Sequence, residues 1–106
     1  MSDMTVNGFF EGLAPKLNAE PEMLGGMDCL YQFNVGTFAY NVLIKDRKAA
    51  VAEGEAASPN CTVIISQEDF IDILSGKLNG QKAFFTGRLK VAGDIGMALK
   101  LGAFFG

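Results

Sequence analysis

Apolar residues recur every three or four positions across residues 5–17, at the start of the chain. This spacing predicts a helix that buries one face against a core. Pro15 falls inside the pattern, and because proline has no backbone N–H to donate, we expect the helix to kink or end near Ala14. A glycine pair and a second proline mark residues 18–26, which we predict to be a loop.

Alternating apolar and polar residues over 27–35 and 38–45 predict a β-hairpin, joined by Gly36 and Thr37. A two-residue type II′ turn takes glycine at its first position, and it fixes the register. A slip of one residue would turn the whole apolar set to the other face. We therefore place these eight residues on one core face: Cys29, Tyr31, Phe33, Val35, Phe38, Tyr40, Val42 and Ile44. The other face is predicted to be mostly solvent-exposed, with Gln32, Asn34, Asn41 and Lys45, although Leu30 and Leu43 share it.

The middle of the chain predicts two more strands and a helix. Asp46 and Arg47 form a turn into an alanine-rich, peripheral strand over 48–55, and a loop with a proline fills 56–60. The β-branched run at 61–65 predicts a buried strand. Ser66 is a candidate N-cap for a helix that ends at Gly76, with a buried side formed by Phe70, Ile71, Ile73 and Leu74.

Residues 76–101 read GKLNGQKAFFTGRLKVAGDIGMALKL. Asn79 is a candidate N-cap for a short helix that holds Phe84 and Phe85 and closes at Gly87. A strand over 88–92 follows, and Asp94 then caps a last helix. The predicted order is α-β-β-β-β-α-α-β-α, and strands bracketed by helices indicate the α+β class.

The same run resembles the signature of sterol carrier protein 2 domains. That signature reads G-k-l-n-p-q-k-A-f-…-G-k-l-k-…-G-d/n-…-A-…-k-L. Gly80 stands where that family usually has proline, so we expect a looser start to the short helix. The resemblance implies a five-stranded sheet, built as a three-strand antiparallel meander, a crossover and two more strands. It also implies helices layered on one face and an apolar tunnel between the sheet and the helices.

Composition is that of one globular domain. The chain has 106 residues, of which 49% are apolar and 20% charged, so it can bury roughly 65% of its unfolded surface. It contains no histidine, which removes Ser-His, Cys-His and His-metal sites. We expect no enzyme activity, no metal and no cofactor. Cys29 and Cys61 are expected to be buried thiols, with a disulfide between them as the alternative.

Two features near the chain ends suggest function, and the distribution of charge is a third. The aromatic residues near the two ends can be core or tunnel wall, and the apolar tail at 97–106 can cover a cavity, contact a membrane or partner, or form a dimer. From the resemblance, the candidate ligand-binding residues are Phe10, Leu13, Phe33, Tyr40, Phe85, Met97, Leu101, Phe104 and Phe105.

Charge is divided unevenly. Residues 1–76 carry four bases and eleven acids, a net −7, whereas residues 77–106 carry five bases and one acid, a net +4. The bases form a solvated face, or they attract an anionic phospholipid surface or the anionic head group of a ligand, and each base near an anionic membrane contributes about 1 kcal/mol. These are Lys77, Lys82, Arg88, Lys90 and Lys100.

We therefore expect non-catalytic binding, with possible transfer, of an apolar lipid or fatty-acyl ligand, with the last helix as a gate. The alternative is an accessory or interaction module for a lipid- or quinone-pathway enzyme that uses the same pocket. We expect a monomer or weak dimer, no nucleic acid partner, and a cytoplasmic protein, since the start lacks the features of a signal peptide and the end is not an S-K-L tripeptide.

Overall fold

The computed structural model of the chain describes residues 5–25 and 28–96. Its elements follow the predicted order up to the last helix, of which Ile95 and Gly96 are described as helical. The elements are α1 (Val6–Asn18), a 3₁₀ helix (Pro21–Leu24), β1 (Cys29–Val35), β2 (Phe38–Lys45), β3 (Lys48–Glu53), β4 (Cys61–Ile65), α2 (Gln67–Leu74), α3 (Gly80–Phe85) and β5 (Leu89–Gly93).

The five strands form one sheet in the order β3-β2-β1-β4-β5. Strand β1 pairs in parallel with β4, and the other three pairs are antiparallel. The chain leaves the sheet at the edge strand β3 and crosses β2 and β1 before it enters β4. The predicted meander, crossover and pair of further strands are therefore confirmed, and the fold is α+β.

The predicted hairpin register is confirmed pair by pair, from Val35 opposite Phe38 to Cys29 opposite Ile44. Gly36 has a φ of 61°, as the first position of a type II′ turn requires, and Thr37 is not among the residues with positive φ. Of the eight residues assigned to the core face, seven are buried and Phe38 is half-buried.

The prediction for Pro15 is wrong about the helix end, because α1 continues through Pro15 to Asn18. Pro15 is exposed, so the backbone hydrogen bond that proline cannot make is lost on the solvent side of α1. Leu13 and Leu17, on the opposite side, are buried. Burial of that apolar side outweighs one lost backbone hydrogen bond. The loop predicted for residues 18–26 also contains a 3₁₀ turn, Pro21–Leu24, whose last residue is fully buried.

The second face of the sheet is less exposed than the sequence suggests. Gln32 is 3% exposed, because the crossover after β3 runs over it. Its Oε1 accepts from the Ala56 N–H at 2.7 Å, and its Nε2 donates to the Gly54 carbonyl at 3.2 Å. Strand β4, by contrast, is buried on one face only, because Ile64 on its other face is 43% exposed.

Strand and helix ends agree closely with the predicted caps. The Ser66 hydroxyl accepts from the Asp69 N–H, and the Asn79 side chain accepts from the N–H groups of Gln81 and Lys82. Strand β3 stops at Glu53, two residues early, because Gly54 turns into the crossover with a φ of 113°. Strand β5 is shifted by one residue from the predicted 88–92, to Leu89–Gly93.

Candidate functional site

Burial on the core face of the sheet is uneven from one edge to the other. Core-facing side chains on β1, β2 and β4 are buried, including Tyr31, Val42 and Val63, except for half-buried Phe38 beside the turn. The two core-facing side chains of β5, Leu89 and Val91, are only half-buried. Among the described residues, the apolar layer is therefore closed over the centre of the sheet and open on its β5 side.

The closed part is an aromatic cluster around Phe10 of α1. Its ring is nearly parallel to that of Tyr40, with centroids 4.4 Å apart, and to that of Phe70, at 5.8 Å. It also contacts Phe33 of β1 at 5.3 Å. These contacts join helix α1, helix α2 and the sheet, so α1 and α2 lie on the same face of the sheet.

Four of the nine predicted ligand-binding residues lie in this closed part. Phe10, Leu13, Phe33 and Tyr40 are all buried among core side chains. The alternation in the hairpin predicts that Phe33 and Tyr40 share one face of the sheet, but it does not predict their packing with Phe10 of α1. Met97, Leu101, Phe104 and Phe105 lie outside the described residues.

The open part is formed by two residues that were not among the predicted ligand-binding residues. Leu89 and Val91 on β5 are half-buried and pack against the buried core, as do the half-buried Ile71, Ile73 and Leu74 on the apolar side of α2. A usable signal was present in the sequence, because Leu89 and Val91 alternate with Arg88, Lys90 and Ala92. The same alternation that defined the hairpin would have placed both residues inward.

Phe85 lies on α3 but points away from the sheet. Ala83 is fully buried, and Phe85, two residues later, lies about 200° around the helix from it. Phe85 is accordingly 83% exposed, and Phe84 is 37% exposed, so Ala83 rather than Phe84 anchors this helix. The tunnel-lining role predicted for Phe85 stays a prediction.

The basic residues of this region lie on the surface. Lys77, Lys82, Arg88 and Lys90 are all exposed, and Lys100 lies outside the described residues.

A depression of about 590 Å³ lies at the other edge of the sheet, around the turn from β2 to β3. It wraps the β3 edge and is lined by Asn18, Pro21, Leu43, Lys45, Arg47, Lys48, Ala49 and Ala50.

The titratable groups inside the core are held in their neutral forms. Burial raises the pKa of Cys61, with smaller contributions from Asp94 and Cys29. Burial also raises the pKa of Tyr31 well above 10.0, and a hydrogen bond with Cys29 adds to it. A nucleophilic cysteine needs the opposite shift, toward thiolate at neutral pH. The buried Cys61 thiol therefore behaves as a small apolar side chain.

The cysteines are too far apart for the disulfide considered from the sequence. Cys61 pairs with Tyr31, which places Cys29 one strand across and two positions along. This offset corresponds to about 8 Å between the two Cα atoms, beyond the roughly 7 Å that a disulfide spans. Both are thiols in the structure. Residues 5–25 and 28–96 also contain no group of three acidic or cysteine side chains that could hold a metal ion.

Comparison with known proteins identifies the family. The family model described as SCP-2 sterol transfer family matches residues 10–106. The chain belongs to this family. SCP-2 domains bind or transfer lipids, and they also occur within larger multifunctional enzymes.

The relatives of this SCP-2 chain are much longer proteins. It is 38% identical over 87 residues to Peroxisomal multifunctional enzyme A of Dictyostelium discoideum, which covers 77% of this chain and 20% of that protein. It is 38% identical over 58 residues to Sterol carrier protein 2 of Homo sapiens, covering 55% of this chain and 11% of that protein. The chain thus spans about a fifth or less of these two relatives.

Solved structures show the same fold over nearly the whole chain. The sterol carrier protein domain 2 of Helicoverpa armigera is 31% identical, with a TM-score of 0.79 over 94% of this chain and 84% of that one. Palmitated SCP2L2 from Aedes aegypti is 28% identical, with a TM-score of 0.80 over 96% and 95%. The ubiquinone synthesis protein UbiJ-SCP2, at 19% identity and a TM-score of 0.63 over 93% and 87%, shares the fold alone. In the part of this chain that the structure describes, no helix is long and apolar enough to cross a membrane.

Proposed function

We propose that this SCP-2 domain binds one fatty-acyl or similarly apolar lipid chain, non-covalently, at the open β5 side of its core. The observation that supports the site most directly is the half-burial of Leu89 and Val91 beside the closed aromatic cluster. The ligand chain would lie along β5 and end against the cluster around Phe10. The last helix would then act as a gate, bringing Met97, Leu101, Phe104 and Phe105 over it.

An acyl chain is the ligand class that these surroundings favour. The bordering side chains are aliphatic or aromatic, and the tyrosine and cysteine side chains nearby stay neutral. Such a surface offers burial and dispersion contacts but few polar anchors, so it selects for apolar length rather than for a particular head group. The palmitated form of the Aedes aegypti SCP2L2 supports the same class.

Ligand loss should lower stability strongly. An empty apolar cavity of about 400 Å³ would cost on the order of 10 kcal/mol if the coefficient from core substitutions applied. This is comparable to the whole stability of a domain, about 5–15 kcal/mol. We therefore expect the purified protein to carry lipid, or its last helix to close inward when empty.

Native mass spectrometry of the purified protein, followed by solvent extraction, tests the proposal. A discrete adduct of lipid mass is expected, and its removal should lower the thermal midpoint. Val91→Thr adds one hydroxyl at nearly constant volume and should weaken fatty-acid binding about five-fold, since an unpaired hydroxyl costs roughly 1 kcal/mol or more. Ile64→Thr places the same hydroxyl on the exposed outer face of the neighbouring strand and should leave binding unchanged.

A protein that is free of lipid as purified and takes up no fluorescent fatty acid would contradict the proposal. So would equal effects of Val91→Thr and Ile64→Thr, because the outer face would then matter as much as the core face. Either result would favour the second candidate function.

The second candidate is an accessory module of a lipid- or quinone-pathway enzyme. The length of the matched relatives favours it, since Peroxisomal multifunctional enzyme A is about five times as long as the matched part. The same pocket would then present a lipid-like group to a partner active site. Co-purification of a stable complex, without lipid exchange between vesicles, would support this function.

We propose that residues 1–106 form one domain without catalytic residues of its own, acting as a monomer or weak dimer. A cytoplasmic location is included, and the buried thiols at Cys29 and Cys61 support it. Contact with anionic membrane through Lys77, Lys82, Arg88, Lys90 and Lys100 is also part of it.

A further inference from the structure

Helix α3 and the short segment after it carry one exposed aromatic and two exposed cationic side chains. Because Ala83 is fully buried, Phe85 projects outward, and Lys82 lies about 60° from Phe85 around the helix. Arg88 follows directly after Gly87, at the end of the helix, and is exposed. We call Lys82, Phe85 and Arg88 the α3 surface.

Phe85 is the most exposed large apolar side chain of those that the structure describes. Leu43, Ile64 and Phe84 are each 37–43% exposed, and Ile95 is 51% exposed, compared with 83% for Phe85. The Phe84 ring packs edge-on against it, with centroids 5.9 Å apart. Two adjacent phenyl rings at the outside of a helix are typical of a contact surface rather than of a scattered exposed residue.

Charge around the α3 surface has a single sign. Residues 75–93 contain four bases and no acid, whereas the rest of the chain contains five bases and twelve acids. No carboxylate of the described residues lies within salt-bridge distance of Lys82 or Arg88. The excess of positive charge over residues 75–93 favours an anionic partner for this surface.

We propose that the α3 surface docks on an anionic phospholipid bilayer, with Phe85 inserted at the level of the head groups. Lys82 and Arg88 would contact the phosphates of nearby lipids. A second copy of the chain is disfavoured as the occupant, because a symmetric contact would bring these cations together.

The purpose of this docking rests on the proposed function. Helix α3 packs against β5, and β5 carries Leu89 and Val91 at the open side of the core. Docking through α3 therefore holds that side next to the membrane, where an acyl chain is exchanged. Phe85 then serves the bilayer contact rather than the lining of the tunnel.

Sedimentation with vesicles tests the docking. The protein should bind vesicles of phosphatidylcholine with phosphatidylserine, and bind vesicles of phosphatidylcholine alone much more weakly. Phe85→Ser should lower the partition coefficient roughly ten-fold. Lys82→Gln with Arg88→Gln should lower it roughly 25-fold, about five-fold for each base, and added salt should reduce the difference.

Two matched controls come from the far edge of the sheet. Leu43→Ser removes an exposed apolar side chain, and Lys45→Gln with Lys48→Gln removes the same net charge as the α3 pair. Both should leave the partition coefficient unchanged. Fatty-acid uptake in solution, measured on every variant without vesicles, should also be unchanged, which separates the docking from the pocket.

Equal losses in the α3 variants and in the controls would overturn the docking. Equal binding to both kinds of vesicle would do the same, as would a dimer that Phe85→Ser dissociates. Vesicle binding that fails while fatty-acid uptake persists refutes this inference alone, whereas uptake that fails while vesicle binding persists refutes the proposed function alone.

Discussion

The side-chain amide of Asn18 forms two hydrogen bonds with the backbone of Ala49, one in each direction. The Ala49 N–H donates to Asn18 Oδ1 at 2.8 Å, and Asn18 Nδ2 donates to the Ala49 carbonyl at 3.0 Å. Ala49 belongs to the edge strand β3. The amide thus takes the place that a backbone of a further strand would occupy, and it blocks that part of the edge.

Replacing Asn18 should therefore weaken the protein and expose the edge. We expect Asn18→Ala to lower the free energy of unfolding by about 1–2 kcal/mol, since both backbone groups of buried Ala49 lose their partner. Urea denaturation measures this loss, and light scattering at increasing concentration measures the association of exposed edges. Glu11→Ala, at an exposed position of the same helix, should change neither quantity appreciably.

Stability should also depend on the side-chain amide of Gln32, and a substitution of similar shape tests this. Gln32→Leu keeps most of the side-chain volume but removes the acceptor of the Ala56 N–H and the donor to Gly54. We expect a loss of about 1–3 kcal/mol in the free energy of unfolding, because the half-buried Ala56 N–H is then left without its acceptor, whereas the Gly54 carbonyl keeps its bond from Asn41. Asn41→Leu removes a single bond to the Gly54 carbonyl and should cost about 1 kcal/mol. Equal stability of Gln32→Leu and the wild type would refute the role of Gln32.

Alkaline pH should unfold the protein through its buried phenol and thiol. The pKa values of Tyr31 and Cys61 are raised in the folded state from ordinary values of 10.0 and 9.0. The unfolded chain therefore loses these protons first, and the free energy of unfolding falls as pH rises above about 9 and more steeply above about 10. The slope approaches about 1.4 kcal/mol per pH unit for each group.

Absorbance of tyrosinate reports this transition directly. The chain has two tyrosines. Burial also raises the pKa of the second, Tyr40, and the negative charges of Glu53 and Glu11 raise it further. Tyrosinate should therefore appear together with unfolding, and Tyr31→Phe should flatten the dependence of stability on pH above 10. Titration of both tyrosines near pH 10 with circular dichroism unchanged would contradict the assigned burial.

Two glycines should respond to alanine in opposite directions. Gly12 lies inside α1 with open space where a Cβ would be, so Gly12→Ala should raise stability by about 0.5–1 kcal/mol. Gly93 has a φ of 91°, and a Cβ there would lie 2.5 Å from the Asn60 carbonyl oxygen. We expect Gly93→Ala to lower stability by about 2–4 kcal/mol. Chemical denaturation of the two variants side by side measures both effects.

Local rules predicted most of the framework from the sequence. The hairpin register followed from the alternation of apolar residues and the requirement for glycine at Gly36, and the helix starts followed from Ser66 and Asn79 as caps. These signals act between residues close in the chain, so no knowledge of the tertiary fold was needed.

The parts that were missed depend on contacts between distant segments. The burial of Gln32 follows from the path of the crossover, which no local pattern specifies. The continuation of α1 past Pro15 follows from the burial of Leu13 and Leu17 against the sheet. Phe85 points outward because the small Ala83 is the residue of α3 that packs against the rest of the protein, and neither Phe84 nor Phe85 takes that place.

The parallel pairing of β1 with β4 has a consequence for how the chain folds. Strands β1, β2 and β3 are joined by two-residue turns, so they can assemble from neighbours in the sequence. The pair of Tyr31 with Cys61, by contrast, closes a loop of about 30 residues before its contacts contribute. We therefore expect the three-strand meander to form first and the docking of β4 and β5 to limit the folding rate. Substitutions on β4 should then alter refolding times more than equally destabilising ones in the first turn.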